Sequence, residues 1–123
     1  MSLNPFKLSD PIPVLDDWGA PEDIGAKTLE GPIACTGKFL LGGPDTPVFG
    51  GLYGATRGRY GVTYAFDEHA TLLEGELAIT DEATGVTTLY GPGDSWLIAA
   101  GTSVVWNIHS ARVVKSWIGV LPR

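Results

Sequence analysis

In the stretch FDEHATLLEGELAI, residues 66–79, Glu68 and His69 stand side by side at the entrance to an apolar run. A carboxylate beside an imidazole can ligate a divalent transition metal when further N or O donors converge. The same pair can also be two polar side chains with no shared chemistry. Strand geometry decides whether the two act together, because successive side chains point to opposite faces. If Glu68 shares an inward face with Tyr64 and Phe66, His69 points away. The only other histidine, His109, follows VVWNI. There Val104, Trp106 and Ile108 form the apolar face, and His109 falls with Val105 and Asn107 on the other. A one-residue bulge would reverse either assignment. A lone carboxylate does not hold a transition metal against water. The expectation is therefore a site without a cofactor, with a divalent metal through Glu68 as the alternative.

What remains is a pocket walled by Tyr64, Phe66, Val104 and Trp106, with Glu68 as its one acid. Burying a carboxylate there costs several kcal/mol unless a cation or donors meet it. Lys115 is the candidate cation, and Glu68 with Lys115 the candidate catalytic pair. Parity leaves the face of Lys115 open: Val113, Lys115 and Trp117 share one side, Val114, Ser116 and Ile118 the other, and both sides are mixed. Arg57 and Arg59 precede the strand that leads to Glu68. They are alternative cations that could clamp an acidic ligand at the mouth, or solvated charges at a turn. Arg59 is counted with the ligand pocket. Cys35 is the only cysteine, so no disulfide closes within the chain. With no base in view it is expected to be a small buried hydrophobe.

These residues need a scaffold of short strands. The 123 residues suffice for about one domain, and 17 Gly and 9 Pro favour tight turns over long helices. Runs rich in β-branched and aromatic residues predict eight strands, at 33–41, 48–56, 60–66, 71–80, 86–90, 95–99, 103–108 and 113–121. Gly, Pro and Asp separate them, and this pattern predicts an all-β sandwich or barrel. Residues 1–30 carry Pro5, Pro11, Pro13 and Pro21 and read as an extended arm, with a short turn near 16–23 that Asp17 could cap. Residues 31–123 then form the single β domain. Fourteen acidic against eight basic residues give a net charge of −6. Such a chain repels phosphate backbones, so nucleic acid is not an expected partner. No run of about 18 apolar residues and no leader-like start appears. With a single cysteine, a cytoplasmic home and no membrane contact are expected. Exposed strand edges and a proline-rich arm predict a homodimer with residues 1–30 near its contact.

Three segments arrive in a fixed order: EHATLLEG with Glu68, six residues and Gly75; GPGDSWLIAAG from Gly91 to Gly101; then VVWNI and ARVVKSWI. This resembles the cupins, RmlC-like jelly rolls of the double-stranded β-helix type. Within them it is similar to the small single-domain cupins related to (S)-ureidoglycine aminohydrolase and the ethanolamine-utilisation cupins. The resemblance covers residues 49–118 and implies a jelly-roll barrel, with Tyr64, Trp106 and Lys115 matching the tyrosine before the Glu, the late tryptophan and the last-strand lysine of that group's pattern. A metal-binding cupin offers His-x-His, a Glu and a third His. Here the first two places fall on Val62 and Tyr64, or on Gly61 and Thr63, and the last on Val104. Ala99 also stands where a proline is usual, and Glu68 alone of the four ligands is present.

Two uses of such a pocket compete, with a third possibility beside them. As an enzyme, the barrel would act on a small polar metabolite by hydrolase, lyase or isomerase chemistry. Glu68 would be its acid or base, Lys115 or Tyr64 the electrostatic partner, and Trp106 would shape the pocket. As a binding or sensing module it would hold the ligand while Glu68 and Lys115 form a structural ion pair. The third possibility is a barrel filled by its own side chains.

Overall fold

Alternation of inward and outward side chains builds nine strands in the computed structural model, which describes residues 2–123. They are β1 (Asp16–Gly19), β2 (Lys27–Glu30), β3 (Cys35–Leu41), β4 (Val48–Thr63), β5 (Asp67–Glu74), β6 (Leu77–Asp81), β7 (Thr87–Tyr90), β8 (Ser95–Ile98) and β9 (Ser103–Val120). The all-β jelly-roll expectation holds, and its strand count and boundaries change. The two longest strands, β4 and β9, pair antiparallel from Val48 opposite Val120 to Thr63 opposite Ser103. Their first and second halves belong to different leaves. One leaf runs β1-β3-β4-β9-β5-β8, and in the other β2 pairs β4 while β6 pairs β9 and β7.

Residues 48–56 and 60–66, expected as two strands, are thus largely one, and so are 103–108 and 113–121. Arg57-Gly58 has turn composition, yet it forms an irregularity in the ladder between Thr56 and Gly58. Gly58 takes φ +148°, and a Cβ there would lie 2.5 Å from the Glu30 carbonyl oxygen. A bulge of this kind bends a strand without ending it. The expected strand 71–80 instead divides into β5 and β6 at Gly75, whose φ of +95° permits the reversal.

Part of the expected arm joins the barrel. β1 pairs β3, and β2 pairs β4. The short turn between them is a 3-10 helix, Pro21–Ile24, with Ala20 rather than Asp17 at its N-cap. The Asp23 carboxylate accepts the Ala20 N–H at 2.8 Å, while Asp17 accepts that of Gly19. Further upstream, Ile12 and Leu15 pack on Leu52, Leu73 and Val114, which project from the outer face of the first leaf. The main core lies between the leaves and includes Cys35, Leu72, Leu77, Trp106, Ile108 and Val113. Burying each large aliphatic side chain there contributes about 1.5–3 kcal/mol. No helix among the described residues is long and apolar enough to cross a membrane.

Candidate functional site

Tyr64 lies one residue past β4, and its main chain is pinned by the Thr102 carbonyl at 2.9 Å and the Gly101 N–H at 2.7 Å. The reversal that follows starts β5 at Asp67, whose carboxylate accepts the Ala100 N–H at 2.8 Å. Glu68 is then the first inward residue of β5 and is buried, whereas His69 is exposed on the outer face. On β9 the inward set is Val113, Lys115 and Trp117, so the face that parity left open is the core face.

Lys115 Nζ lies 2.6 Å from Glu68 Oε1. The other carboxylate oxygen accepts the Tyr64 hydroxyl at 2.8 Å and the Trp96 indole N–H at 3.1 Å. Both oxygens of Glu68 are therefore engaged, by one cationic and two neutral donors. Around the ammonium stand aromatic rings, with Trp106 at 4.6 Å, Tyr53 at 5.0 Å, Trp96 and Trp117 at 5.9 Å and Tyr64 at 6.0 Å from the ring centroids. Cation–π attraction and the ion pair offset part of the desolvation of this charge. Burial still dominates and holds the Lys115 amine below its ordinary proton affinity, against the opposing pull of Glu68. The Tyr64 hydroxyl is driven the other way, well above the usual phenol range, first by burial and then by the negative charge of Glu68.

Above the pair opens a cavity of about 420 Å³, within the ordinary range for small-molecule sites. This space speaks against the filled barrel. Glu68 and Lys115 are the only ionisable side chains in its wall besides tyrosines, and the rest of the surface is overwhelmingly apolar, with Trp18, Phe39, Phe49, Phe66 and Trp117 prominent. Tyr53 and Tyr60 also line it, their hydroxyls 3.0 Å apart, and Tyr53 reaches the Sγ of buried Cys35 at 3.4 Å. Burial raises the pKa of that thiol, so Cys35 is packed and unreactive.

Not every candidate belongs to this wall. Tyr64, Phe66, Glu68 and Lys115 line the cavity. Trp106 stands behind it, stacked on Tyr60 with centroids 5.5 Å apart, and supports Lys115 from below. Val104 is part of the core but borders a separate hollow beside the β6–β7 hairpin. Arg59 is corrected outright: Tyr60 takes the inward position, so Arg59 projects outward and lies 3.6 Å from Glu30 on β2. His109 sits half-exposed, 3.4 Å from Glu76. Among the described residues no group of three or more His, Cys, Asp or Glu side chains could hold a metal ion.

Sequence reasoning passed over Trp96, the second neutral donor to Glu68. Its alternation with Ile98 in SWLI marks it as inward. Only the pairing of β5 with β8, which sets Glu68 opposite Ile98 and Ala70 opposite Trp96, shows what it touches. Gly119 was also missed, and it makes room for the wall. A Cβ there would lie 2.6 Å from Phe49 and 2.7 Å from Phe66. Gly119→Ala is expected to drive both rings into the cavity and cost about 1–3 kcal/mol through overpacking. Thermal denaturation measures the loss, and an unchanged melting temperature would refute the crowding.

A family model described as a EutQ-like cupin domain matches residues 43–117. Among solved structures, the chain is similar to a putative ethanolamine utilization protein Q from Salmonella typhimurium LT2, at 22% identity and TM-score 0.60, over 76% of this chain and 72% of that one. A DUF861-family protein of unknown function from Pseudomonas syringae pv. tomato DC3000 aligns at TM-score 0.75 and 16% identity. That alignment takes in 94% of this chain but 46% of the other. A protein of unknown function from Rhizobium leguminosarum aligns over 99% of this chain and 100% of its own, at TM-score 0.58 and 17% identity. No curated protein matches. At these identities the structural likenesses concern the fold.

Proposed function

The chain belongs to the family of EutQ-like cupin domains, and on that premise we propose that its barrel binds one small molecule with an apolar, ring-sized body and a single oxygen-bearing end. The observation that carries this reading is the buried Lys115–Glu68 pair set in the wall of an otherwise aromatic cavity. Glu68 has both oxygens engaged, whereas Lys115 has one of its three N–H donors committed to a protein acceptor. Lys115 is therefore the group that meets the ligand, and Glu68 is the residue that positions it. The pair is close to neutral as a unit, which favours an uncharged ligand, because an extra buried charge would stand uncompensated. The small polar metabolite expected from sequence narrows accordingly to a molecule with one polar end.

The test is a calorimetric titration with propiophenone, an uncharged aromatic ketone, against hydantoin, a polar ureido compound of small size. Propiophenone is expected to bind, and Lys115→Met to weaken it by about tenfold or more, the worth of a hydrogen bond from a charged donor. Preference for hydantoin would refute the apolar reading. Acid–base catalysis by the same pair is the second reading, favoured by the lowered proton affinity of Lys115.

A further inference from the structure

Lys115 differs from every other lysine in the chain: Lys7, Lys27 and Lys38 are exposed, whereas it is 5% exposed. Its amine meets the cavity beside Tyr53, Tyr64 and Trp117, while Trp96 and Trp106 close around it from outside the lining. One carboxylate oxygen lies 2.6 Å away, near enough to take and return a proton. We propose that Lys115 forms an imine with an uncharged aromatic aldehyde or ketone held in this cavity. The proposal rests on the reading of the cavity as a small-molecule site and adds a covalent step to it.

The step needs no co-reactant. The Lys115 ammonium passes one proton to Glu68, and the freed lone pair attacks the carbonyl carbon. A C–N bond forms as the C=O π pair moves to oxygen, which takes up the proton from Glu68. A second N–H proton then passes through Glu68 to the hydroxyl as the nitrogen lone pair closes C=N and the C–O bond breaks. Ammonium and carbonyl become a protonated imine and water, with no change of oxidation state. The cation produced keeps Glu68 as its counter-ion and the same rings around it. Desolvation in an apolar pocket is a recognised way to make a lysine nucleophilic. The direction in which burial moves this amine agrees with that.

The experiment treats the 123-residue chain at pH 7 with benzaldehyde and cyanoborohydride and maps the reduced adduct by peptide mass spectrometry. The map separates Lys115 from the three exposed lysines and from the chain's α-amine. Lys115 is expected to be alkylated about tenfold faster than any exposed lysine, since its amine is the more readily deprotonated. Glu68→Gln, which retains the shape of the side chain, should slow that labelling alone. The comparison among lysines is read on the unaltered protein, so it does not depend on any variant folding. Labelling of Lys115 no faster than the others, with propiophenone still bound, would overturn the imine and leave the binding site standing. Failure of both labelling and propiophenone binding would overturn the two together.

Discussion

Glu68→Leu is expected to destabilise the protein by about 3–5 kcal/mol, the cost of stranding a buried charge after its partner is removed. Three donors lose their acceptor at once: Lys115 Nζ, the Tyr64 hydroxyl and the Trp96 indole N–H. All three are withdrawn from bulk solvent, Lys115 being 5% exposed, Tyr64 6% and Trp96 7%. The loss is larger than for a surface pair such as Arg112–Glu74, whose side chains are about half-exposed and whose contribution is about 0–1 kcal/mol. Urea denaturation of Glu68→Leu beside Glu74→Ala measures both. Equal small losses would show that the buried pair is not a structural keystone.

The double variant Glu68→Leu/Lys115→Met is expected to regain about 2 kcal/mol of that loss while binding no propiophenone. Removing both charges ends the electrostatic penalty, and apolar replacements of similar volume suit an aromatic surrounding. Recovery is incomplete because Tyr64 and Trp96 still lack an acceptor. A double-mutant cycle reads the coupling directly, and additive losses would refute the pair as a unit. The alkaline side gives an independent sign. Burial lowers the Lys115 proton affinity in the folded state, so between that lowered value and the ordinary 10.5 the unfolded chain binds more protons. The contribution of Lys115 to stability thus rises with pH through this window and levels off above 10.5. Buried Tyr53, Tyr60 and Tyr64 act oppositely above 10, since burial keeps their protons on in the fold. Subtracting the profile of Lys115→Met, which keeps Glu68 and so the charge that acts on Tyr60 and Tyr64, from that of the unaltered protein leaves the contribution of the lysine.

Much of the barrel was legible in local pattern. Turn chemistry at Gly91–Asp94 marked a true reversal, where the Asp94 carboxylate accepts the Gly91 N–H at 2.9 Å. The same composition at Arg57-Gly58 misled, because a glycine that lets a chain reverse also lets a continuous strand bend. The difference lies in what pairs across the way. β9 follows β4 through the irregularity and carries both strands from one leaf to the other. Arg59 was misplaced for a related reason. Its nearness in sequence to the strand entering the site carried no information about face, and Tyr60 had the better claim to the interior.

By itself the sequence determined the β class, the reversal at Gly93, and the opposition of Glu68 inward to His69 outward. Each of these is local: a backbone angle that glycine alone adopts easily, or the two-residue alternation of a strand. Only the tertiary structure decided that Lys115 is the partner of Glu68, across 47 residues, and that Trp96 joins them across 28. Those contacts depend on the register of β5 against β9 and β8, and register is set by the packing of the whole inner face. A one-residue slip against β9 would send Lys115 to the outside and leave Glu68 a buried acid without its counter-charge.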